Sequence, residues 1–232
     1  MIDDPREAAR ALAAEVFPTA HWVVLGGSVL TNARTAGSDL DVVVLLPDGS
    51  DGVPRRESRR FAGWAVELFV HDAASLDHYL GKDLPGRRPA LHRMVGLGES
   101  VAGDATAYQA RCREVLAAGP DPLTTDELDT LRYGLTDLLD DLDHAPDDER
   151  SVIGALLWLR VAEATLLIRR HWVGSGKWLL RELDDCDPAF AKDWLGRQGD
   201  MTAVAELARR VLASTGGPLF AGYQLAGERP DT

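Results

Sequence analysis

Cysteine is scarce in this chain: Cys112 and Cys186 are the only two, far apart and without metal-ligand spacing. They supply neither a disulfide framework nor a Cys-based zinc site, and both are expected to be reduced and incidental. Positive charge is also short, with 25 Lys and Arg against 37 Asp and Glu and a formal net charge of -12. A general nucleic-acid binder needs a basic face to meet phosphates, so nucleic acid is not an expected partner. An acidic surface instead suits a cationic small molecule. The local basic groups, Arg55-Arg56 with Arg59-Arg60 and Arg87-Arg88, read as solvated loops. A long uninterrupted apolar run is missing as well: the longest stretch, Val152 to Ile168, contains Arg160 and Glu163. It reads as the central helix of a bundle rather than a membrane span. The start, Met1-Ile2-Asp3-Asp4-Pro5, is acidic and leads into an Ala-rich amphipathic helix, unlike a signal peptide. Internal repeats and low-complexity segments are absent. With 45% hydrophobic and 27% charged residues over 232 positions, the expectation is a cytoplasmic globular protein of one large or two small domains.

What is present is concentrated in one stretch. His21-Trp22-Val23-Val24-Leu25 is a short β-rich run that ends in Gly26-Gly27-Ser28, and Asp39-Leu40-Asp41 opens the apolar run Val42-Val43-Val44-Leu45-Leu46. The polar residues therefore fall where strands end or begin. Residues i and i+2 of a strand share a face, so Asp39 and Asp41 project together with Cα atoms about 7 Å apart. Two carboxylates so placed converge on one or two divalent cations. In Trp64-Ala65-Val66-Glu67-Leu68-Phe69-Val70, Glu67 is the lone charge of an apolar run, costly to bury unless it is paired or holds a metal.

Ten residues separate Ser28 from Asp39, and Ser38 precedes the first aspartate. A Gly-Ser turn followed at this distance by Asp-x-Asp, with a third carboxylate on a neighbouring strand, resembles the nucleotidyltransferase superfamily that includes DNA polymerase beta. The resemblance implies transfer of a nucleoside monophosphate from a nucleoside triphosphate, ATP by expectation, to an acceptor hydroxyl with release of pyrophosphate. Asp39 and Asp41 would hold two Mg²⁺ ions, and Glu67 would complete a site or act as base. Gly27 and Ser28 would hold phosphate: glycine permits close backbone approach, and a helix starting near Ser28 would add free N–H groups.

Organisation changes near residue 120. The reading before it is a helix over about 3–17, strands near 22–26, 41–46 and 64–70, a Gly- and Asp-rich loop from Pro47 to Pro54, and a helix from near Ala73. The segment Arg93 to Asp104 resembles the end of the core sheet in small-molecule nucleotidyltransferases, with a short final strand before a linking helix. Beyond Gly119-Pro120-Asp121-Pro122 the strand pattern stops. Leu128, Leu131, Leu135, Leu138, Leu139 and Leu142 keep helical spacing after Thr125, and further helices are expected over 151–170, from Lys177 and over 201–213. The expected fold is thus α+β: a mixed sheet with flanking helices over 1–118, then an all-α bundle over 119–232.

This layout is similar to that of aminoglycoside-type nucleotidyltransferases, which implies a small hydroxyl-bearing acceptor and leaves a homodimer open. In that setting Lys177, after Gly174-Ser175-Gly176, would neutralise triphosphate oxygens, and Glu163 competes with Glu67 as base unless it pairs with Arg160. Two further readings stand beside it. One is an AMPylating nucleotidyltransferase of a toxin–antitoxin system; the ribonuclease partner's Arg-to-His spacing occurs only at Arg87 and His92, before the bundle. The other is a non-catalytic nucleotide-binding protein, which has no evident reason to retain three carboxylates.

Overall fold

The computed structural model describes residues 2–227. Three apolar runs form the strands β1 (Trp22–Gly26), β2 (Leu40–Leu45) and β4 (Trp64–His71), and two more polar runs form β3 (Arg55–Phe61) and β5 (Glu99–Gly103). They make one five-stranded mixed sheet in the order β3-β4-β2-β1-β5, with β2 and β4 parallel and the other pairs antiparallel. The fold class expected from the sequence is the one adopted.

Strand alternation divides the apolar residues between two faces. Val23, Leu25, Val42, Val44, Val66, Leu68 and Val70 pack with α1 (Pro5–Val16) through its Ala8, Ala9, Leu12 and Ala13. That helix starts where the Asp4 side chain accepts from the Arg6 N–H and Pro5 stands in its first turn. The opposite face, with Trp22, Val24, Val43 and Phe69, packs with α2 (Ala73–Asp83), α3 (Ala90–Gly96) and α4 (Thr106–Ala118). Gly26 lets α3 pass this face closely, since a Cβ there would lie 3.0 Å from the Met94 Cα.

The basic groups at Arg55-Arg56 and Arg59-Arg60, read from the sequence as solvated loop, are an edge strand instead. Ala62 and Gly63, both at positive φ, form the tight turn that returns Phe61 into Trp64. Charged side chains suit the position, because an edge strand with one unpaired rim is protected from pairing with other chains by charge.

After Gly119 the chain continues as a second compact unit of helices. These are α5 (Thr125–His144), α6 (Asp147–Ile168), α7 (Lys177–Cys186), α8 (Pro188–Gly196) and α9 (Met201–Ala213). Thr124 and Glu127 form a reciprocal cap that starts α5. Helix α6 is long and apolar enough to cross a membrane by length and composition, and in the fold its Leu157, Val161, Ala162 and Leu166 belong to the bundle core with residues of α5, α7, α8 and α9. Trp158 and Trp194 stack at 4.0 Å, each indole N–H donating to the other's carbonyl at 2.9 and 2.8 Å.

Two buried histidines in the first unit make stability depend on pH. Burial holds His71 and His92 below the ordinary imidazole value. Between those depressed values and about 6.5 the unfolded chain binds more protons than the folded one, so stability is full above that window and falls as pH drops through it. Exposed His144 opposes them, raised by its hydrogen bond to the Asp140 carbonyl and by the Asp140 charge. We expect the melting midpoint to fall between about pH 7.5 and pH 5.5, and His92→Leu to reduce that slope in a calorimetric series. A midpoint that rises on acidification would contradict the assignment.

Candidate metal centre

The register of the sheet assembles the site. Gly26 pairs with Asp41, Asp41 with Glu67 and Glu67 with Ser58, so these four residues form one row across β1, β2, β4 and β3. Two positions along, Val24, Val43 and Phe69 occupy the same face and belong to its apolar core. Asp41 and Glu67 therefore stand where the core of this face gives way to solvent. Asp39, two residues before Asp41, joins them, and carboxylate oxygens of Asp39, Asp41 and Glu67 lie within 4.8 Å of one another, all three residues partly buried.

Oxygens across one octahedral Mg²⁺ are about 4.2 Å apart, twice the bond length of about 2.1 Å. Two ions set about 3.5–4 Å apart accept a wider ligand set. The three carboxylates fit either case with small side-chain rotations, and an all-oxygen donor set suits a hard cation.

The turn after β1 is built around Asp41. Gly27 has φ 79° and ψ -171°, a conformation almost reserved for glycine, and a Cβ on it would lie 2.0 Å from the Asp41 Oδ2. The missing side chain is the space the carboxylate occupies. Ser28 and Ser38 are buried, with their hydroxyl oxygens 3.4 Å apart, and Ser38 Oγ accepts from the Thr35 N–H at 3.0 Å. The segment joining the turn to Asp39 is thereby tied to it.

The chain from Ser28 forms a 3₁₀ turn, Ser28–Leu30, and not the α-helix start that would add free N–H groups for a phosphate. Thr31 ends it by donating its hydroxyl to the Ser28 carbonyl at 2.9 Å and accepting from the Ala33 N–H at 3.2 Å. No helix axis points at the site from here. The residues that follow, Asn32 to Gly37, carry no apolar periodicity that would prolong a helix.

Sequence reasoning missed Arg56. On β3 it reaches across to Glu67, Nη2 to Oε2 at 2.6 Å, while its guanidinium lies 5.0 Å from the centre of the Phe69 ring. The triad thus carries an internal counterion on its third carboxylate. A cation entering the site competes with Arg56 for Glu67. Removing that competitor with Arg56→Ala should raise Mg²⁺ affinity by up to about fivefold and change stability by less than about 1 kcal/mol, as for an exposed pair. Titration calorimetry checks this, and weaker binding in the variant would show that Arg56 supports the site instead.

Lys177 is the first residue of α7 in the second unit, after Gly176 at φ 54°. Glu163 lies on α6 and accepts from Arg160 at 2.8 Å, the pair expected from their spacing. Arg87 sits in the turn after α2 and His92 is buried in α3, so the Arg-to-His spacing is not on a bundle helix.

No protein-family model matches the chain, and no curated protein matches it. Among solved structures it is similar to a nucleotidyltransferase-like protein from Exiguobacterium sibiricum 255-15, at 13% identity over 90% of this chain and 74% of that one, with a TM-score of 0.45.

Proposed function

We propose that this protein is a Mg²⁺-dependent nucleotidyltransferase that moves a nucleoside monophosphate from a nucleoside triphosphate, ATP first among candidates, to a hydroxyl of a small molecule. The observation that carries the reading is the convergence of Asp39, Asp41 and Glu67 beside the Gly27-Ser28 turn. Carboxylate oxygens within 4.8 Å of one another form an all-oxygen donor set that suits a hard divalent cation.

Asp39 and Asp41 hold the metal, and Glu67 completes its shell or accepts the proton of the attacking hydroxyl. When bound, Mg²⁺ neutralises phosphate oxygens and the charge that develops on the attacking and leaving oxygens. The acceptor oxygen forms a bond to the α-phosphorus, the bond from that phosphorus to the bridging oxygen breaks, and pyrophosphate departs with the electron pair. The Gly27-Ser28 turn, whose glycine leaves room for the Asp41 carboxylate, is the part of the backbone we assign to the triphosphate, with the Ser28 hydroxyl orienting it. The setting we assign is the cytoplasm, where Mg²⁺ and nucleoside triphosphates are both present.

The test is incubation of the purified chain with Mg²⁺, each of the four nucleoside triphosphates and a panel of hydroxyl compounds that includes aminoglycosides. An acceptor-dependent mass gain of one nucleotidyl unit, with equimolar pyrophosphate, is expected. Absence of both transfer and Mg²⁺-dependent nucleotide binding would overturn the proposal.

A further inference from the structure

We propose that the cleft beside the triad, between β4 and helices α2 and α3, binds the ring-bearing, weakly polar body of the acceptor, making the acceptor an apolar hydroxyl compound rather than a polycationic sugar. Naming that molecule the acceptor rests on the transferase reading; its binding in the cleft does not.

The cleft has a volume of about 340 Å³, within the range of small-molecule sites. Phe69 lines it, two residues beyond Glu67 on the same strand and face, with Cα atoms about 7 Å apart, so the cleft adjoins the triad. Arg56 lines it too, stacked on Phe69 and bonded to Glu67, and is shared by the cleft and the triad. A hydroxyl on the end of a molecule seated here and directed past Arg56 reaches the carboxylates.

The far wall is aromatic and apolar. Tyr79 of α2 is 37% exposed, with its ring 5.5 Å from that of His71, and Leu91 and Met94 of α3 complete the wall. Flat side chains on both sides suit a flat ring.

One polar atom in this lining is unsatisfied. His71 is 6% exposed and its Nδ1 has no hydrogen-bond partner. Burial keeps the imidazole neutral at neutral pH, so the wall at His71 carries no positive charge. A buried polar atom left without a partner is costly, and a turn of the His71 ring toward a ligand hydroxyl, carbonyl or ring nitrogen in the cleft would relieve that cost.

The charges of the lining do not favour the other class. Asp83 is the single carboxylate lining the cleft, and it already accepts from the Leu91 N–H at 3.2 Å, whereas Arg55 and Arg56 both line it. Both guanidinium groups stand in ion pairs, Arg55 with Glu57 at 3.7 Å and Arg56 with Glu67 at 2.6 Å, so the lining offers a polycation no unengaged carboxylate.

The test is a ¹H–¹⁵N spectral titration of the full chain, without nucleotide, using 2-phenylethanol and tyramine as probes and kanamycin as the polycationic contrast. The aromatic probes should shift the amides of Phe69, His71, Tyr79 and Asp83, and kanamycin should leave them in place. Ala90→Trp fills the cleft from an exposed rim position and should weaken the aromatic probes at least tenfold; Tyr79→Ala, also at an exposed position, should weaken them severalfold. No shift at these amides, unchanged affinity in both variants, or kanamycin binding there as tightly as the aromatic probes would overturn the proposal. A parallel titration with Mg²⁺ and ATP reads the amides of Asp39, Asp41 and Glu67. Silence there with the cleft shifts intact would remove the transferase reading and leave a ring-binding cleft; the reverse would keep the transferase and remove the cleft.

Discussion

Asp41→Asn is expected to lower nucleotidyl transfer by at least about a thousandfold while the protein stays folded. Asp41 occupies the middle of the row, between Gly26 on β1 and Glu67 on β4, so its carboxylate is flanked by the turn on one side and the third acid on the other. The amide keeps the shape and loses the charge. Several kcal/mol of transition-state stabilisation depend on the metal, and each 1.36 kcal/mol is a factor of about ten in rate, which sets the size of the loss. The fold should persist, because the amide is isosteric with the carboxylate and the strand pairing of residue 41 with Gly26 and Glu67 is made by the backbone. The rise in melting midpoint that Mg²⁺ produces by mass action in the parent should disappear in the variant. Turnover close to that of the parent would sink the metal assignment, whatever the melting curves show.

Gly27→Ala should damage both activity and stability. Its backbone lies at φ 79° and ψ -171°, where a side chain costs about 1–3 kcal/mol, and the new Cβ would meet the Asp41 Oδ2 at 2.0 Å. Something must yield, and the movable party is the carboxylate. Displacing a reacting group by about 1 Å costs about a hundredfold, so we expect at least that loss in kcat/KM together with a lower melting midpoint. Gly49→Ala separates the two effects. Gly49 has φ 75° but nothing within 4 Å of an added Cβ, so that variant should lose stability and keep its rate. Equal activity in the two variants would mean that Gly27 acts only through backbone strain.

The buried strands were legible because their residues are apolar over whole runs: Val42 to Leu46 and Trp64 to Val70 have few alternatives to a covered sheet. The edge strand Arg55 to Phe61 was not, since half of its side chains face solvent and an alternation of Arg, Glu and Ser resembles a loop. Its one local signal was Ala62-Gly63 between Phe61 and Trp64, two aromatic residues joined by a short turn. Missing that strand also hid Arg56. Whether a helix starts at Ser28 was open in the sequence, and the structure decides against it: Thr31 closes the turn and nothing apolar follows to sustain a helix.

By itself, the sequence determined the strand cores, the placement of Asp39 and Asp41 on one face and the glycine turn that admits them, because these depend on the two-residue period of a strand and on the lack of a Cβ. Tertiary structure alone decided that Glu67 lies opposite Asp41, that Arg56 covers Glu67, and that Phe69, His71 and Tyr79 enclose a cleft beside them. Sheet register and helix docking are settled by burial summed over many residues, and no local pattern encodes which two distant side chains that sum will bring together.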